Sequence, residues 1–337
     1  FQMESQTKNK KWETYNTLFY IGDINAKNKL NLNFTYSNYK DEYKNSTVQE
    51  DFFERMEEGL NRKDFTRFYA EWDHVISSKM GFQIGYGNTY LQLKSEYDIS
   101  QVDPFTGTNS SFSGNFNLSD FRNKVYANYS WRINKKWGMQ IGVGAENSYR
   151  ESGGSKLNNT IYQPLFDLKY SPNRKVSLKL KYRANGDYPT IAQTNPFVSQ
   201  QNYRITSTGN PLLKPYTTHR LSLRMNFYNG LFAIEPYLQY SNNRIAQIGD
   251  IDTLNVFNYR FENADLYQRN GVKLNFSKYF KFSVLIQGNV ELFHAKLESS
   301  STKINVMDVR ASMDVIYIFP KSQMLIGAKY QRQQNKQ

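Results

Sequence analysis

Apolar and polar residues alternate with a period of two along most of this chain. Between Val176 and Arg183, valine, leucine and tyrosine occupy every second position, and serine, lysine and arginine occupy the positions between them. A period of two places successive side chains on opposite faces of a β-strand. The pattern recurs throughout the chain, and no stretch of comparable strength has helical spacing. We therefore predict an all-β protein whose strands have one apolar and one polar face.

The alternation predicts about fourteen strands. They cover residues 12–21, 29–43, 63–76, 80–98, 112–133, 137–151, 159–171, 175–185, 216–229, 231–244, 265–278, 281–297, 303–319 and 323–331. Many are longer than the roughly five or six residues usual in soluble sheets. They also exceed the roughly 9–11 residues that a tilted strand needs to cross a bilayer. The lengths favour a membrane-spanning sheet.

The predicted connections alternate between short and long. Short turns fall at 77–79, 134–136, 171–174, 229–230, 278–280 and 320–323, and the pair Asn229-Gly230 is a strong hairpin signal. Long polar connections cover 44–62, 99–111, 151–158, 186–215 and 245–264, with a short helix predicted over 56–60. Tight turns at one end and long loops at the other are typical of an antiparallel up-and-down transmembrane β-barrel.

Composition fits a barrel better than a soluble globule. The 337 residues include no cysteine, which excludes a disulfide scaffold, a thiolate metal site and a cysteine nucleophile. A mean hydropathy of −0.72 argues against transmembrane helices, yet 16% of the residues are aromatic. Aromatic residues near the short turns predict a girdle at the membrane surface: Trp72, Trp131, Trp137, Tyr170, Tyr182, Tyr228 and Phe232.

The net charge of +13 does not indicate a nucleic-acid partner. Lysine and arginine are spread along the chain, whereas a nucleic-acid reader gathers them into a patch or a helix. In the strongest strands they fall mainly on the polar face. We therefore predict that most of the positive charge lies in the lumen and the loops.

A short motif between two predicted strands resembles a known family. The motif is formed by Gly209, Asn210, Pro211, Leu213, Lys214 and Pro215. It is similar to a segment of TonB-dependent outer-membrane receptors, with Tyr216 in place of the usual glutamate, and the Asn-, Lys- and Tyr-rich composition is similar to the Bacteroidota barrels of that family. Tyr188-Pro189 and Asn195-Pro196 also resemble the loop that precedes this motif.

The resemblance implies a 22-stranded barrel, closed by a plug, in the outer membrane of a Gram-negative bacterium. It implies import of a bulky nutrient (a glycan, a peptide or a metal chelate) with energy transmitted by TonB. Residues 1–337 are then expected to be a partial barrel domain without the plug and the terminal strands, because an open sheet edge in lipid leaves backbone groups unpaired. The expected partners are outer-membrane lipid, TonB acting through the plug, and a surface lipoprotein.

Two other classes of function remain open from the sequence. One is a passive porin, or a structural or assembly barrel with a lipoprotein partner. The other is a soluble basic β protein that binds nucleic acid or glycan. An enzyme is not expected, because His74, His219 and His294 fall on the apolar face near strand ends and have no catalytic or metal-binding spacing. We predict no catalytic residues, no metal and no cofactor.

Two sets of residues are candidates for contact with a ligand or a plug. Because loops on a rigid scaffold carry recognition, the connection 186–215 supplies the candidate ligand-binding residues Tyr188, Asn195, Gln200, Gln201, Tyr203 and Arg204. Gly85, Gly87, Gly142 and Gly144 lie on the polar face of their strands and leave the inner wall bare. Such glycines serve either barrel curvature or the close approach of a plug.

Overall fold

The computed structural model describes residues 3–49, 53–102, 106–202, 204–280, 283–318 and 325–336. These residues form nineteen strands and one short α-helix. The elements are β1 (Met3–Asn25), β2 (Asn28–Gln49), β3 (Phe53–Ser77), β4 (Met80–Val102), β5 (Asn109–Trp131), β6 (Trp137–Ser152), β7 (Ser155–Tyr162), β8 (Leu165–Asn173), β9 (Val176–Asp187), α1 (Ile191–Thr194), β10 (Val198–Asn202), β11 (Ile205–Thr208), β12 (Tyr216–Phe227), β13 (Phe232–Asn242), β14 (Arg244–Ile251), β15 (Phe257–Ala264), β16 (Leu266–Phe280), β17 (Val284–Glu298), β18 (Lys303–Ile318) and β19 (Leu325–Lys336).

Fourteen of the described strands form one continuous antiparallel path, which confirms the predicted fold class; the fourteen predicted strands correspond to this path, and five further strands lie beside it. The order is β1-β2-β3-β4-β5-β6-β8-β9-β12-β13-β16-β17-β18-β19, and β7 pairs with β6 beside this path. Each strand on the path therefore pairs with the next one along the chain, apart from the strands inserted in the long connections. Four inserted strands form a second sheet in the order β10-β11-β15-β14.

The outward face of the main sheet is apolar where the strands approach the tight turns. Large apolar side chains that are 38% to 57% exposed on this face include Phe34, Phe68, Ile84, Val125, Val143, Leu221, Leu238, Leu274, Leu292 and Val309. An exposed apolar surface of this extent marks contact with lipid. The opposite face is called inward here, because it carries the second sheet.

Aromatic residues mark the edge of the apolar band at the tight turns. Beside the tight turns, the rings of Trp137 and Tyr170 stack with centroids 4.3 Å apart. Farther from the turns, the Tyr86 hydroxyl donates to Asn123 Oδ1 at 3.0 Å. Aromatic residues thus lie beside the tight turns, where the girdle is predicted, and Tyr86 lies farther along the same outward face.

Tyr182 does not belong to the girdle at the tight turns, so that assignment was wrong. It lies opposite Leu221, several residues above the turn that joins β8 to β9. Its hydroxyl contacts His219 Nδ1 at 2.9 Å. The alternation places Tyr182 on the outward face, but it does not fix the residue's height on the strand.

Several predicted connections are strands. β2 and β3 occupy most of 44–62, including the predicted helix over 56–60, and β14 and β15 fill most of 245–264. Each of these strands pairs with a neighbour that satisfies its backbone groups. Their outward faces meet water rather than lipid, so no apolar alternation reveals them.

The predicted strand 159–171 is two strands, β7 and β8, separated at Gln163-Pro164. Pro164 has no N–H to give to a ladder. Gln163 still exchanges two backbone hydrogen bonds with Gly144, of 2.7 and 3.1 Å, and the Pro164 carbonyl accepts from the Ala184 N–H at 3.1 Å. Both strands pair with β6 in the same register, so the chain stays beside β6 and the ladder is interrupted only at Pro164.

Of the predicted turns, Asn229-Gly230 is confirmed. Both residues have positive φ values, 58° and 90°, in the tight turn between β12 and β13. The predicted turn 320–323 lies outside the described residues.

Candidate functional site

The apolar side chains of β4 change face near Tyr90. Towards the tight turn they lie at even positions and face outward, as Ile84 does. Beyond Tyr90 they lie at odd positions and face inward, and Leu93 and Tyr97 are each 6% exposed. The intervening Lys94 and Glu96 are exposed. The outer half of β4 therefore buries the face that its membrane half leaves polar.

The neighbouring strand β5 changes face at the same height. Val125 faces lipid and is 54% exposed, whereas Phe116 and Leu118 face inward and are 1% and 2% exposed. Leu93 and Leu118 lie directly opposite each other in the ladder. We call the inward face of these outer halves, residues 91–102 and 109–120, the outer wall.

A lid covers part of the outer wall. We define the lid as residues 188–215 together with β14 and β15. Ile191 of α1 and Phe197 pack against Leu93, Phe116 and Leu118. The Phe197 ring meets Tyr97 edge-on, with centroids 4.3 Å apart. The outer wall and the lid thus form a small apolar core outside the membrane band.

A buried ion cluster fastens the lid beside this core. Asp120 Oδ2 accepts from Arg122 and from Arg150, each at 2.6 Å. Arg150 Nη2 also donates to the Pro189 carbonyl of the lid at 3.0 Å, and the Arg122 guanidinium lies 3.8 Å from the Tyr188 ring centroid. Burial raises the pKa of Asp120, but hydrogen bonds and charges from both arginines outweigh burial and hold that pKa below its usual value.

The family motif joins the parts of the lid to one another. A Cβ at Gly209 would lie 2.3 Å from the Asn195 carbonyl oxygen, so no larger residue fits there. The Gly209 N–H donates to that oxygen at 2.9 Å, and the Asn210 N–H donates to the Gln193 carbonyl at 2.7 Å. Leu213 is fully buried. The glycine of the motif is thus required by the close approach of two backbones.

The same motif ties the lid to β15. The Lys214 N–H donates to Asn263 Oδ1, and Asn263 Nδ2 donates back to the Lys214 carbonyl, both at 2.9 Å. Asn210 Nδ2 donates to the Phe261 carbonyl at 3.2 Å. These contacts were not predicted, because nothing in the local sequence pairs residues about fifty positions apart.

The candidate ligand-binding residues are spread over the lid. Tyr188 stacks under Arg122, and Asn195 bonds the motif, so both hold the lid in place. Gln200 and Gln201 lie in β10. Arg204 is exposed, and Tyr203 lies outside the described residues. Contact of these residues with a ligand stays a prediction.

Two of the four wall glycines accommodate a neighbouring side chain. A Cβ at Gly85 would collide with the Tyr126 ring, and one at Gly142 would collide with Asn128. Tyr126 crosses Gly85 to contact Tyr69 and Glu71. At Gly87 a Cβ would have only ordinary contacts, and at Gly144 the nearest atom, Cβ of Tyr126, would lie at 3.3 Å.

Basic and acidic side chains line the inward face within the membrane band, as predicted. Asp167 pairs with Lys179 at 3.0 Å and with Arg183 at 3.1 Å. Further ion pairs of this kind join Arg220 and Arg224 to Glu235, Arg269 and Lys273 to Glu291, and Arg310 to Asp308. This face can hold a charged or strongly hydrogen-bonding surface.

The three histidines make single hydrogen bonds to uncharged neighbours. They contact Asn28, Tyr182 and Asn305. Within the described ranges, no three His, Asp or Glu side chains converge as metal ligands. The described segments also contain no helix that is long and apolar enough to cross a membrane.

Comparison with known proteins identifies a protein family over most of the chain. The profile described as "Outer membrane protein beta-barrel family" matches residues 23–335. The siderophore receptor PiuA from Acinetobacter baumannii is similar over 95% of this chain and 57% of its own, with a TM-score of 0.58 and 10% identity. The ferric yersiniabactin uptake receptor FyuA from Yersinia pestis is similar over 99% and 53%, with a TM-score of 0.54 and 11% identity.

A peptide transporter has the same fold. The RagAB peptide transporter is similar over 93% of this chain and 48% of its own, with a TM-score of 0.53 and 9% identity. The chain thus spans about half the length of the structures that it matches, and identities this low establish similarity of fold alone. No curated protein matches the sequence.

Proposed function

Because this chain belongs to the outer membrane protein beta-barrel family and lies in the outer membrane of a Gram-negative bacterium, we propose that it is the barrel part of a TonB-dependent importer. The observation that carries the proposal is the similarity in fold of nearly the whole chain to a siderophore receptor and a ferric yersiniabactin uptake receptor. A charged inward wall under a folded lid supports it. We propose no catalytic role and no nucleic-acid partner.

The barrel is completed by further strands. β1 and β19 are the two ends of the strand path, and in the described part of the chain they do not pair with each other. Unpaired backbone groups are too costly in lipid, so both edges need partners. We propose that residues 1–337 are part of a barrel of about 22 strands, the number implied by the TonB-dependent receptor family.

A plug fills the lumen beside the wall glycines. A cavity of about 380 Å³ lies on the inward face next to Gly144 and is also lined by Tyr126, Gln163 and Arg183. We propose that a plug lies against this wall near Gly85, Gly87, Gly142 and Gly144. Since this chain has no cysteine, Gly87→Cys introduces a unique thiol here for cross-linking to single cysteines in the plug.

The cargo is a bulky nutrient and is captured from outside. The matched structures are described as a siderophore receptor, a ferric yersiniabactin uptake receptor and a peptide transporter. We propose a metal chelate, a peptide or a glycan as cargo, with a surface lipoprotein as partner. Capture by the lid and the outer wall precedes rearrangement of the plug.

Growth on limiting nutrients tests the proposal. Strains lacking either this gene or TonB are grown on a ferric siderophore, a peptide mixture or an oligosaccharide as the limiting nutrient. We expect both deletions to abolish growth on the same nutrient. Flux of small solutes into vesicles through the purified protein, without TonB, would instead identify a passive porin.

A further inference from the structure

One end of the outer wall is left uncovered by the lid. Phe112 continues the buried row formed by Phe116 and Leu118, yet it is 53% exposed. It lies directly opposite Ile99 in the ladder. A cavity of about 300 Å³ is lined by this pair and by Phe197 and Val198 of the lid. The Phe112 and Phe197 rings meet at one side of it, with centroids 6.1 Å apart. An apolar face is therefore open to a ligand at the outer end of the site.

A neutral polar row borders the apolar pair. Arg55, Gln101 and Ser110 lie side by side on β3, β4 and β5 and line the same cavity. The Arg55 side chain is 8% exposed, and its Nη2 pairs with Glu57 at 3.3 Å. Arg55 Nη1 donates to Gln101 Oε1 at 2.8 Å. The charge of Arg55 is thus compensated, and the Gln101 amide nitrogen remains as a hydrogen-bond donor.

The lid contributes a strand edge that begins at this cavity. β10 starts at Val198, a lining residue, and stands at the end of the order β10-β11-β15-β14. It pairs with β11, and among the described residues no strand pairs with its other edge. A free edge presents alternating backbone donors and acceptors to an extended chain.

We propose that this cavity and the free edge of β10 bind an extended, uncharged peptide segment. One apolar side chain enters the cavity lined by Ile99, Phe112 and Phe197, and the peptide backbone pairs with β10. This assignment rests on the proposed function, whose cargo it narrows to peptides. A charged chelate lacks a counter-charge in the neutral row, and a sugar has no apolar side chain for the cavity.

Binding of a short peptide to the full-length protein in detergent tests this assignment. The probe is acetyl-Ala-Ala-Phe-Ala-Ala-amide, whose five residues match the five of β10. We expect saturable binding by calorimetry. Replacing its phenylalanine by serine, or methylating its backbone nitrogens, should each weaken binding about tenfold or more, which corresponds to roughly 1.4 kcal/mol.

Two variants locate the site. Phe112→Ala should weaken binding of the probe by about tenfold. Leu254→Ala is the matched control, because Leu254 is 55% exposed in the connection between β14 and β15 and does not line the cavity. It should bind like the wild type. Equal affinity of the Phe112→Ala variant and the wild type, or of the methylated and unmethylated probes, would overturn the assignment.

The growth experiment separates this inference from the proposed function. TonB-dependent growth on a siderophore or an oligosaccharide, without binding of the peptide probe, would refute only the peptide site. The opposite result is also informative. If the protein binds the peptide probe but its deletion causes no TonB-dependent growth defect, the proposed importer function is wrong and the peptide site stands.

Discussion

The two halves of β4 and β5 bury opposite faces of the same strands. In the membrane half, Val125 faces lipid and the residues between the apolar ones are polar or glycine. In the outer half, Phe116 and Leu118 face inward under the lid, and Asn115 and Asn117 face water. The backbone ladder continues through both halves without a register shift. The surrounding medium alone decides which face of the strand is apolar.

The comparison shows that one strand can serve two kinds of core. The membrane half is stabilised by lipid around its outward face, and its polar face lines the lumen. The outer half is organised as in a soluble sheet, with an apolar inward face and a covering layer. The lid is the covering layer. Mutations in the outer half should therefore loosen the lid, whereas mutations on the outward face of the membrane half should weaken its contact with lipid.

The largest expected effect is on the inward face of the outer half. Phe116→Ala should lower the free energy that holds the lid on the outer wall by about 3–5 kcal/mol, because removal of a large, fully buried ring leaves a cavity. Hydrogen exchange of residues 188–215 measures the loss as easier local opening. Phe121→Ala on the outward face, where the ring is 39% exposed, is the control. Equal losses would contradict burial of the inward face.

Removing the acid of the ion cluster should have a similar effect. Asp120→Asn leaves the two arginines without their counter-charge, at a cost of about 3 kcal/mol. Protease sensitivity of the lid reports it. Asp250→Asn breaks an exposed pair with Arg260 of 3.1 Å and should cost less than about 1 kcal/mol. The comparison fails if both variants open the lid to the same extent.

A lysine on the outward face distinguishes the two media directly. Val125→Lys places a charge in lipid and should lower the free energy of unfolding by roughly 2–4 kcal/mol if Val125 lies near the bilayer midplane. Asn115→Lys, ten residues away on the same face of β5, stays in water and should change stability by less than about 0.5 kcal/mol. Urea unfolding from lipid vesicles measures both. A tolerated Val125→Lys would place the membrane band elsewhere.

The smallest expected effect is a dependence of the lid on acid pH. The pKa of Asp120 is lowered in the folded protein. The contribution of Asp120 to the stability of the closed lid is therefore complete above the ordinary pKa of about 3.9, and it is lost as pH falls through the lower pKa of the folded state. Asp252, whose pKa is lowered by backbone N–H groups, adds in the same direction.

Hydrogen exchange of the lid against pH checks this effect. The wild-type lid should open as pH falls below about 4, and Asp120→Asn should flatten most of that dependence. A variant that retained the full dependence would assign it to other groups.

The sequence predicts the membrane half well because lipid imposes a strong pattern. The alternation around Val176 and Leu221 requires one apolar face, and Asn229-Gly230 fixes a turn. Most of the outer half was predicted as strand, but its change of apolar face at Tyr90 was not, because the period stays two while the apolar parity changes. Such a change can be found by searching each predicted strand for the point at which the apolar residues switch from even to odd positions.

The site was predictable only in part. The motif around Gly209 was recognised, but its contacts with Gln193, Asn195 and Asn263 join distant segments, which local pattern does not reveal. Arg55 was missed because 44–62 was predicted to be a loop. Phe112 begins the predicted strand 112–133, but its partner Ile99 fell in the predicted loop 99–111, so their pairing was missed. Once they lie in paired strands, their shared cavity follows from register.

The length of β2 beyond the apolar band determines which surface is reached first from outside the cell. From Asn38 to Gln49 the strand extends for roughly 36 Å along its own axis at about 3.3 Å per residue, a length comparable to the roughly 30 Å hydrocarbon core. Lys44 and the facing Glu58 of β3 pair across this stretch. An antibody or a phage tail fibre arriving at the cell therefore contacts polar side chains on a rigid sheet well before it reaches lipid.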